Sequence, residues 1–423
     1  MACLRRYARH RLARLVVLAT NLGLALASLG LWVIAFTQGL SWRADFTMLY
    51  TGASMVRSGL SDGLYDLGMQ AAMQQQILEG LYLAGGLLPF NYPPHLALLL
   101  TPIAWLSLDQ AYLVWSALQF ATLACAGWML SRHLRAEGAS AQTRCMAIAG
   151  VAALPFVGSA LLLGALSILM LVGWLGYALA FRRGKSGWAA FWVLVMTLKP
   201  QVAVVPALVL LASRRWRAVG LVVGIGLALV LITSSVLQPS AWLGFLETLL
   251  RSFQGDASLG IVPGSMVNLR GLLATLSGDR ARTAVSLVTT LGFALSLLAV
   301  IWLWRAEEED RADLDLRMAF VLLLGILFSP HAYPQDVVLL VVPTLLFWCY
   351  LRHAGRHGQL FGSVALICPA LFWITERFLR DVLSGAPVPA LVMVGLGAVM
   401  LPALLRHRRS SGLPNCSGSA DSP

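Results

Sequence analysis

The chain has 423 residues, 58% hydrophobic and only 12% charged, with a mean hydropathy of +0.76. A water-soluble domain carries roughly 25% charged residues, so this surface does not face water; a soluble fold is excluded and an all-α polytopic membrane protein is expected. The net charge of +12 does not point to nucleic acid, because the basic residues fall in short clusters between apolar runs, the pattern of membrane orientation.

In chain order, Arg5, Arg6, Arg9, Arg11 and Arg14 precede an apolar run that continues to Phe36. Ala25-Leu26-Ala27 has the shape of a cleavage site, but about 22 apolar residues are anchor length, and we expect an uncleaved first helix over 15–37. A polar stretch over 38–93 follows. Segment 94–106 makes roughly 20 Å of helix against a hydrocarbon core of about 30 Å, so it reads as interfacial or re-entrant, with 110–131 as the return crossing. Further spans are expected at 145–158, 159–181, 218–237, 283–304, 359–375 and 388–405.

Two regions need another solution. Residues 186–213 lie between the basic clusters Arg182-Arg183-Lys185 and Arg214-Arg215/Arg217 and are too few for two ordinary spans. Two short helices meeting at Lys199-Pro200 fit. Residues 318–351 repeat the pattern, with two short apolar runs meeting at Ser329 to Asp336. Broken helices at membrane depth are tolerated only where they line a cavity or are buried in protein. The expected architecture is a bundle of about 10–12 transmembrane helices including the short ones, with both termini cytoplasmic. It forms a single transmembrane domain over 1–409, with outer loops at 38–93 and 238–282 and a disordered Gly/Ser/Pro-rich tail over 410–423. The acidic run Glu307-Glu308-Glu309-Asp310 reads as a solvated loop. The six cysteines form no CxxC pair, so neither a disulfide framework nor a zinc site is indicated.

This topology gathers four polar motifs on the outer face: Arg43-Ala44-Asp45-Phe46, Asn91-Tyr92-Pro93-Pro94-His95, Thr197-Leu198-Lys199-Pro200-Gln201, and Ser329 to Asp336. A lysine near membrane depth costs about 2.5–3.5 kcal/mol and marks function by default. Each residue also has a plainer account. Lys199 could snorkel to the headgroups, His95 could sit at the interface without a ligand, and Asp45 and Asp336 could each cap a helix. Taken together, a lysine beside the headgroup layer suits a lipid-linked phosphate, and a nearby carboxylate suits a general base acting on an acceptor hydroxyl. Asp45 with Asp66 or Asp336 could hold a divalent cation, although no ligand spacing requires one.

The stretches ADFTMLYTGASMVRSGLSDGLYD (44–66), FNYPPHLALLLTPIAWLSLDQAYLVWSALQ (90–119), LKPQ (198–201) with RRWRA (214–218), and SPHAYPQDVVLL (329–340) resemble glycosyltransferase family 87 in matching order. The resemblance implies a GT-C membrane fold in the plasma membrane and transfer of mannose, with inversion, from a polyprenyl-phosphate donor to a glycan or glycolipid acceptor. It implies Asp45 as the base and Lys199 as a contact for the donor phosphate. Tyr65-Asp66, Tyr92, His95, His331 and Asp336 follow as substrate-binding residues. The chain departs from the resemblance at Gly164-Ala165-Leu166-Ser167, where the family pattern has Gly-Gln-x-Asn. A polysaccharide ligase or polymerase, with Arg251, Arg270, Arg280 and Arg282 in the second outer loop, and a lipid or solute transporter are the competing readings.

Overall fold

The computed structural model describes residues 2–38, 44–79, 86–254, 256–278, 281–305, 311–355, 369, 372–373 and 387–411. Arg43, the acidic run at 307–310, almost all of the expected span at 359–375 and the tail beyond residue 411 lie outside the described residues, as do the side chains of the arginines before Arg14. Within the described residues every regular element is helical, as composition requires.

The chain opens with α1 (Ala2–Thr37), followed by the loop helices α2 (Ala44–Arg57) and α3 (Leu67–Ile77). Helix α4 (Pro94–Leu100) starts at a proline whose missing N–H costs nothing in a first turn, and it runs into a 3-10 turn, Thr101–Trp105. Leu99 and Trp105 stay exposed, as an interfacial segment too short to cross requires. Helix α5 (Leu108–Ala136) begins at a capping box, in which Ser107 Oγ accepts from Gln110 N (3.4 Å) and Gln110 Oε1 accepts from Ser107 N (3.3 Å).

The region read from sequence as spans 145–158 and 159–181 is instead divided into three helices: α6 (Ala141–Ala152), α7 (Pro155–Leu163) and α8 (Ser167–Arg182). Pro155 cannot continue the hydrogen-bond ladder of α6, and the two helices meet at 50°. Gly164, in the left-handed region at φ +73°, ends α7 and allows the chain to restart as α8. Helix α8 is buried on nearly every side, as an apolar helix at the centre of a bundle must be. It packs against α5, then against α9 (Ser186–Met196), which with α10 (Pro200–Ala212) forms the expected broken pair around Lys199.

Helix α11 (Trp216–Leu237) is long, apolar and mostly exposed, as a lipid-facing span is. The second polar region contains α12 (Ser240–Gln254) and α13 (Leu269–Ser277). On α12 Leu243, Leu246 and Leu250 are exposed while Ala241, Phe245, Thr248 and Ser252 face the protein, so its leucine face looks outward. Then come α14 (Arg282–Trp304), α15 (Arg311–Leu327), a 3-10 turn at Pro334–Leu340, α16 (Val341–His353) and α17 (Val388–Ser411). The chain breaks after Leu327 and resumes as helix at Pro334, so the break overlaps the first part of the stretch Ser329 to Asp336 expected from sequence, whose last three residues already belong to the 3-10 turn. Among the described residues six segments are long and apolar enough to cross a membrane: Leu12–Thr37, Leu108–Ala136, Trp216–Leu237, Thr283–Trp304, Pro334–His353 and Val388–Arg406. The bent α6–α7 pair makes a seventh, and α8, α9 and α10 add the short apolar helices expected of a bundle with broken spans. The main apolar core is centred on α8, and a second core gathers α2, α4 and the start of α5.

Candidate active site

Three chain breaks converge at one end of α8. At the first, Pro200 pushes Lys199 into an extended conformation and opens α10. The Lys199 ammonium is buried and forms an ion pair with Asp336 Oδ1. At the second, Asp336 lies in the first turn of the 334–340 segment, where its Oδ2 accepts from Tyr333 N (3.2 Å) and its own N–H donates to the Tyr333 carbonyl (2.8 Å). At the third, Ser167 in the first turn of α8 donates to Asp336 Oδ1 (2.6 Å). The capping account of Asp336 is therefore correct and incomplete, since the same carboxylate also serves Lys199 and Ser167. A buried ion pair is retained more readily when further hydrogen bonds satisfy its carboxylate, as Ser167 and Tyr333 N do here.

Asp45 approaches from the first turn of α2, where the helix dipole favours a carboxylate. Its Oδ2 accepts from Gln335 Nε2 at 2.9 Å. Adjacent residues of the 334–340 turn thus engage both acids: Gln335 binds Asp45, and Asp336 binds Lys199. Asp45 lies in a loop helix outside the spans. Burial pushes its carboxyl up to about 6 from an ordinary 3.8, with the Lys199 charge pulling it down and the Asp336 charge pushing it further up.

Gly164 sets where α2 begins. A Cβ there would lie 2.5 Å from Phe46 Cβ and 3.4 Å from Phe46 Cα, so the residue after Asp45 rests directly on the glycine. Trp115 Nε1 donates to the Gly164 carbonyl (2.8 Å) and Gln119 Nε2 to that of Ala165 (2.6 Å), which fixes the same turn against α5. The turn where the sequence departs from its resemblance therefore supports Asp45 on one side and supplies Ser167 to Asp336 on the other.

The segment before α13 covers the 329–336 loop. Val267 N donates to the Ala332 carbonyl (2.9 Å), Asn268 Nδ2 to that of Ser329 (2.6 Å) and Arg270 Nη1 to that of Pro330 (3.0 Å). Tyr333 Oη accepts from Val262 N at 3.2 Å. His331 lies among the charges of Arg270, Lys199 and Asp336. A narrow cleft opens beside it, lined by Trp174, Gln201, Ser329, His331 and Asp336.

The other residues singled out in the sequence divide. Tyr92 faces the charges of Asp45 and Asp336, which together with burial hold its phenol protonated. Tyr65 donates its hydroxyl to the Tyr92 carbonyl (2.7 Å) and buttresses that position. Asp66 is the N-cap of α3, accepting from Met69 N at 2.8 Å, and is not among the groups whose charge acts on Asp45. His95 stacks on Trp242 at 5.8 Å, outside the cluster. Sequence reasoning missed Gln335, Ser167 and Asn268 as site residues and gave Arg270 no place beside the others. Gln335 stands next to Asp336 within a quoted motif and carried that signal; Ser167 and Asn268 are ordinary polar residues whose role comes from folding alone.

The family model for glycosyltransferase family 87 matches residues 90–330, more than half of the chain. No curated protein and no solved structure matches it. The matched stretch includes Tyr92, Lys199, Ser167 and Arg270, begins after Asp45 and ends just before His331. With a buried acid–base cluster at the junction of broken helices inside a multi-pass apolar bundle, this chain belongs to glycosyltransferase family 87.

Proposed function

We propose that the protein transfers a hexose, with mannose as the family default, from a polyprenyl-phosphate donor to an acceptor hydroxyl, with inversion at the anomeric carbon. Asp45 is the general base. The observation that carries this assignment is the contrast between two carboxylates a few residues' reach apart. Asp336 is committed to Lys199, Ser167 and a backbone N–H, whereas Asp45 has one neutral donor, Gln335, and a carboxyl held near 6. A base with a pKa near the working pH combines an ionised fraction with real proton affinity, which is what general-base catalysis needs.

In the reaction the acceptor O–H approaches the anomeric carbon from the face opposite the phosphate. Asp45 takes its proton as the new C–O bond forms and the bond to the phosphate oxygen breaks, so the lipid phosphate leaves with the electron pair. The Lys199–Asp336 pair keeps the floor of the site polar, and His331 and Gln201 line the cleft beside it. The site faces the side away from the basic clusters, which is the extracytoplasmic side by the positive-inside rule.

The test is transfer of radiolabelled mannose from polyprenyl-phosphate-mannose to membrane lipids or glycans by the purified wild type, by Asp45→Asn and by Lys199→Ala. Transfer reduced by about 100-fold or more in Asp45→Asn supports the base. Undiminished transfer in that variant removes Asp45 from the role, and no transfer by folded wild type removes mannose with this carrier.

A further inference from the structure

Arg270 is 4% exposed, yet no carboxylate pairs with it among the described residues. Among the described residues its side chain makes one hydrogen bond, from Nη1 to the Pro330 carbonyl, and its Nε is buried with no partner. The one other arginine this deeply buried among the described residues, Arg317, pairs with Asp313 at 2.5 Å. A guanidinium withdrawn from water without a counter-charge is costly, because its desolvation is not recovered by an ion pair. The second unsatisfied group is adjacent. His331 Nε2 is also buried without a partner, on the loop that Arg270 holds through Pro330, and the Arg270 charge acts on that ring. Lys199, the cation expected from sequence to meet an anion, already has one in Asp336.

We propose that Arg270, with His331 beside it, is the anion site of this enzyme and takes the phosphate of a phosphate ester, Arg270 rather than Lys199 being its principal cation. The planar guanidinium presents its donors in a fork that matches two phosphate oxygens, and an imidazole N–H can donate to a third. Arg270 sits at the second residue of α13, so the helix's free N–H groups add to the positive potential there. Asn268, fully buried at the N-cap, fixes the geometry by accepting from Gly271 N at 3.3 Å while donating to Ser329. That the phosphate belongs to a lipid-linked sugar donor rests on the transfer reading; the anion site itself does not.

Binding alone tests this, with no sugar transfer involved. Purified full-length protein in a non-ionic detergent is titrated calorimetrically with dodecyl phosphate and, separately, with inorganic phosphate. Arg270→Gln should weaken dodecyl phosphate binding by about 10- to 100-fold, the value of charge-assisted hydrogen bonds. Arg270→Lys should fall between it and wild type, because it keeps the charge and loses the fork. Lys199→Met should weaken binding less than Arg270→Gln does. Preference for dodecyl phosphate over inorganic phosphate assigns the site to a lipid-linked ester, and equal binding of the two assigns it to a free phosphate; both support the anion site. Three results overturn it: wild type binds neither probe, Arg270→Gln binds as wild type, or Lys199→Met costs as much as Arg270→Gln. If Arg270→Gln fails to fold, Arg270→Lys carries the test, and wild-type affinity in that variant overturns the proposal. Phosphate binding without mannose transfer would sink the mannosyl reading and leave this site standing.

Discussion

Asp336 is held by an ammonium, a hydroxyl and a backbone N–H, whereas Asp45 accepts from a single amide, and their chemistry diverges accordingly. An acid buried with one neutral donor binds its proton more tightly than it would in water. With Asp45 near 6, catalysis that uses its ionised form should rise about tenfold per pH unit below that value and level off above it. A pH profile of kcat/KM checks this, and a profile flat between pH 5 and 7 contradicts it. The same shift has a stability consequence of opposite sign to that of most carboxylates. Because the folded-state value lies above the ordinary 3.8, the protonated acid favours the fold. That contribution is complete below about 3.8 and disappears as pH rises through 6, so at pH 7 ionised Asp45 destabilises the protein. Asp45→Asn, which can still accept from Gln335, should therefore raise thermal stability at pH 7 by about 1–3 kcal/mol while abolishing transfer. Measured at pH 4, the same substitution should be nearly neutral. A variant that is less stable than wild type at pH 7 would contradict the electrostatic account.

At the scale of elements, the turn at Gly164 joins the two acids. Alanine there meets a left-handed backbone and a Cβ-to-Cβ contact with Phe46, so it costs about 1–3 kcal/mol and displaces the start of α2. Gly164→Ala should lower kcat more than any loss of folded protein explains, since Asp45 moves with Phe46, and a 1 Å error in a reacting group costs about 100-fold. Comparing kcat per folded molecule with the melting curve separates the two effects; unchanged kcat would mean that α2 absorbs the shift. The same element shows what the sequence made legible. The broken pair at Lys199-Pro200 and a break within Ser329 to Asp336 follow from prolines and from the mismatch between apolar runs and bilayer thickness, which are local properties. The division at Gly164 was misplaced to residue 159, because a left-handed glycine between two apolar helices leaves no change in hydropathy to read. Asp45, Lys199 and Asp336 could be singled out as charges in apolar surroundings. Their pairing could not, because it depends on which turn lies over which: Asp66, equally acidic and also in a quoted motif, proved to be a helix cap, and neutral Gln335 proved to be the contact of Asp45.

At the scale of the whole molecule, α8 connects this site to a second polar cluster at its other end. Its 16 residues make a rod of about 24 Å, with Ser167 on Asp336 at one tip and Arg182 at the other. Arg182 draws three helices together: Nε pairs with Asp315 Oδ1 at 2.8 Å, Nη2 with Glu137 Oε1 at 3.2 Å, and Nη1 lies 3.1 Å from His133 Nε2. Cys349 of α16 adds its thiol 3.4 Å from the same imidazole nitrogen. His133, Glu137 and Cys349 are close enough to share a cation, but the guanidinium already stands against two of the three. Asp315 is fully buried, so removing the arginine strips a counter-charge from it in a low dielectric. Arg182→Ala should destabilise the detergent-solubilised protein by about 3–5 kcal/mol, and Arg182→Lys should restore only part, because an ammonium cannot reach three acceptors in a plane. Much of that loss reflects the uncompensated charge rather than the lost contacts, so the double variant Arg182→Ala/Asp315→Asn should be more stable than Arg182→Ala alone. Thermal unfolding followed by tryptophan fluorescence reads wild type, Arg182→Ala, Arg182→Lys, Asp315→Asn and the double variant. If the double variant loses the sum of the two single losses, Arg182 and Asp315 act independently. Recovery in the double variant would make this cluster the charge-matched anchor that holds α8 in place, and with it the Ser167 hydroxyl on Asp336.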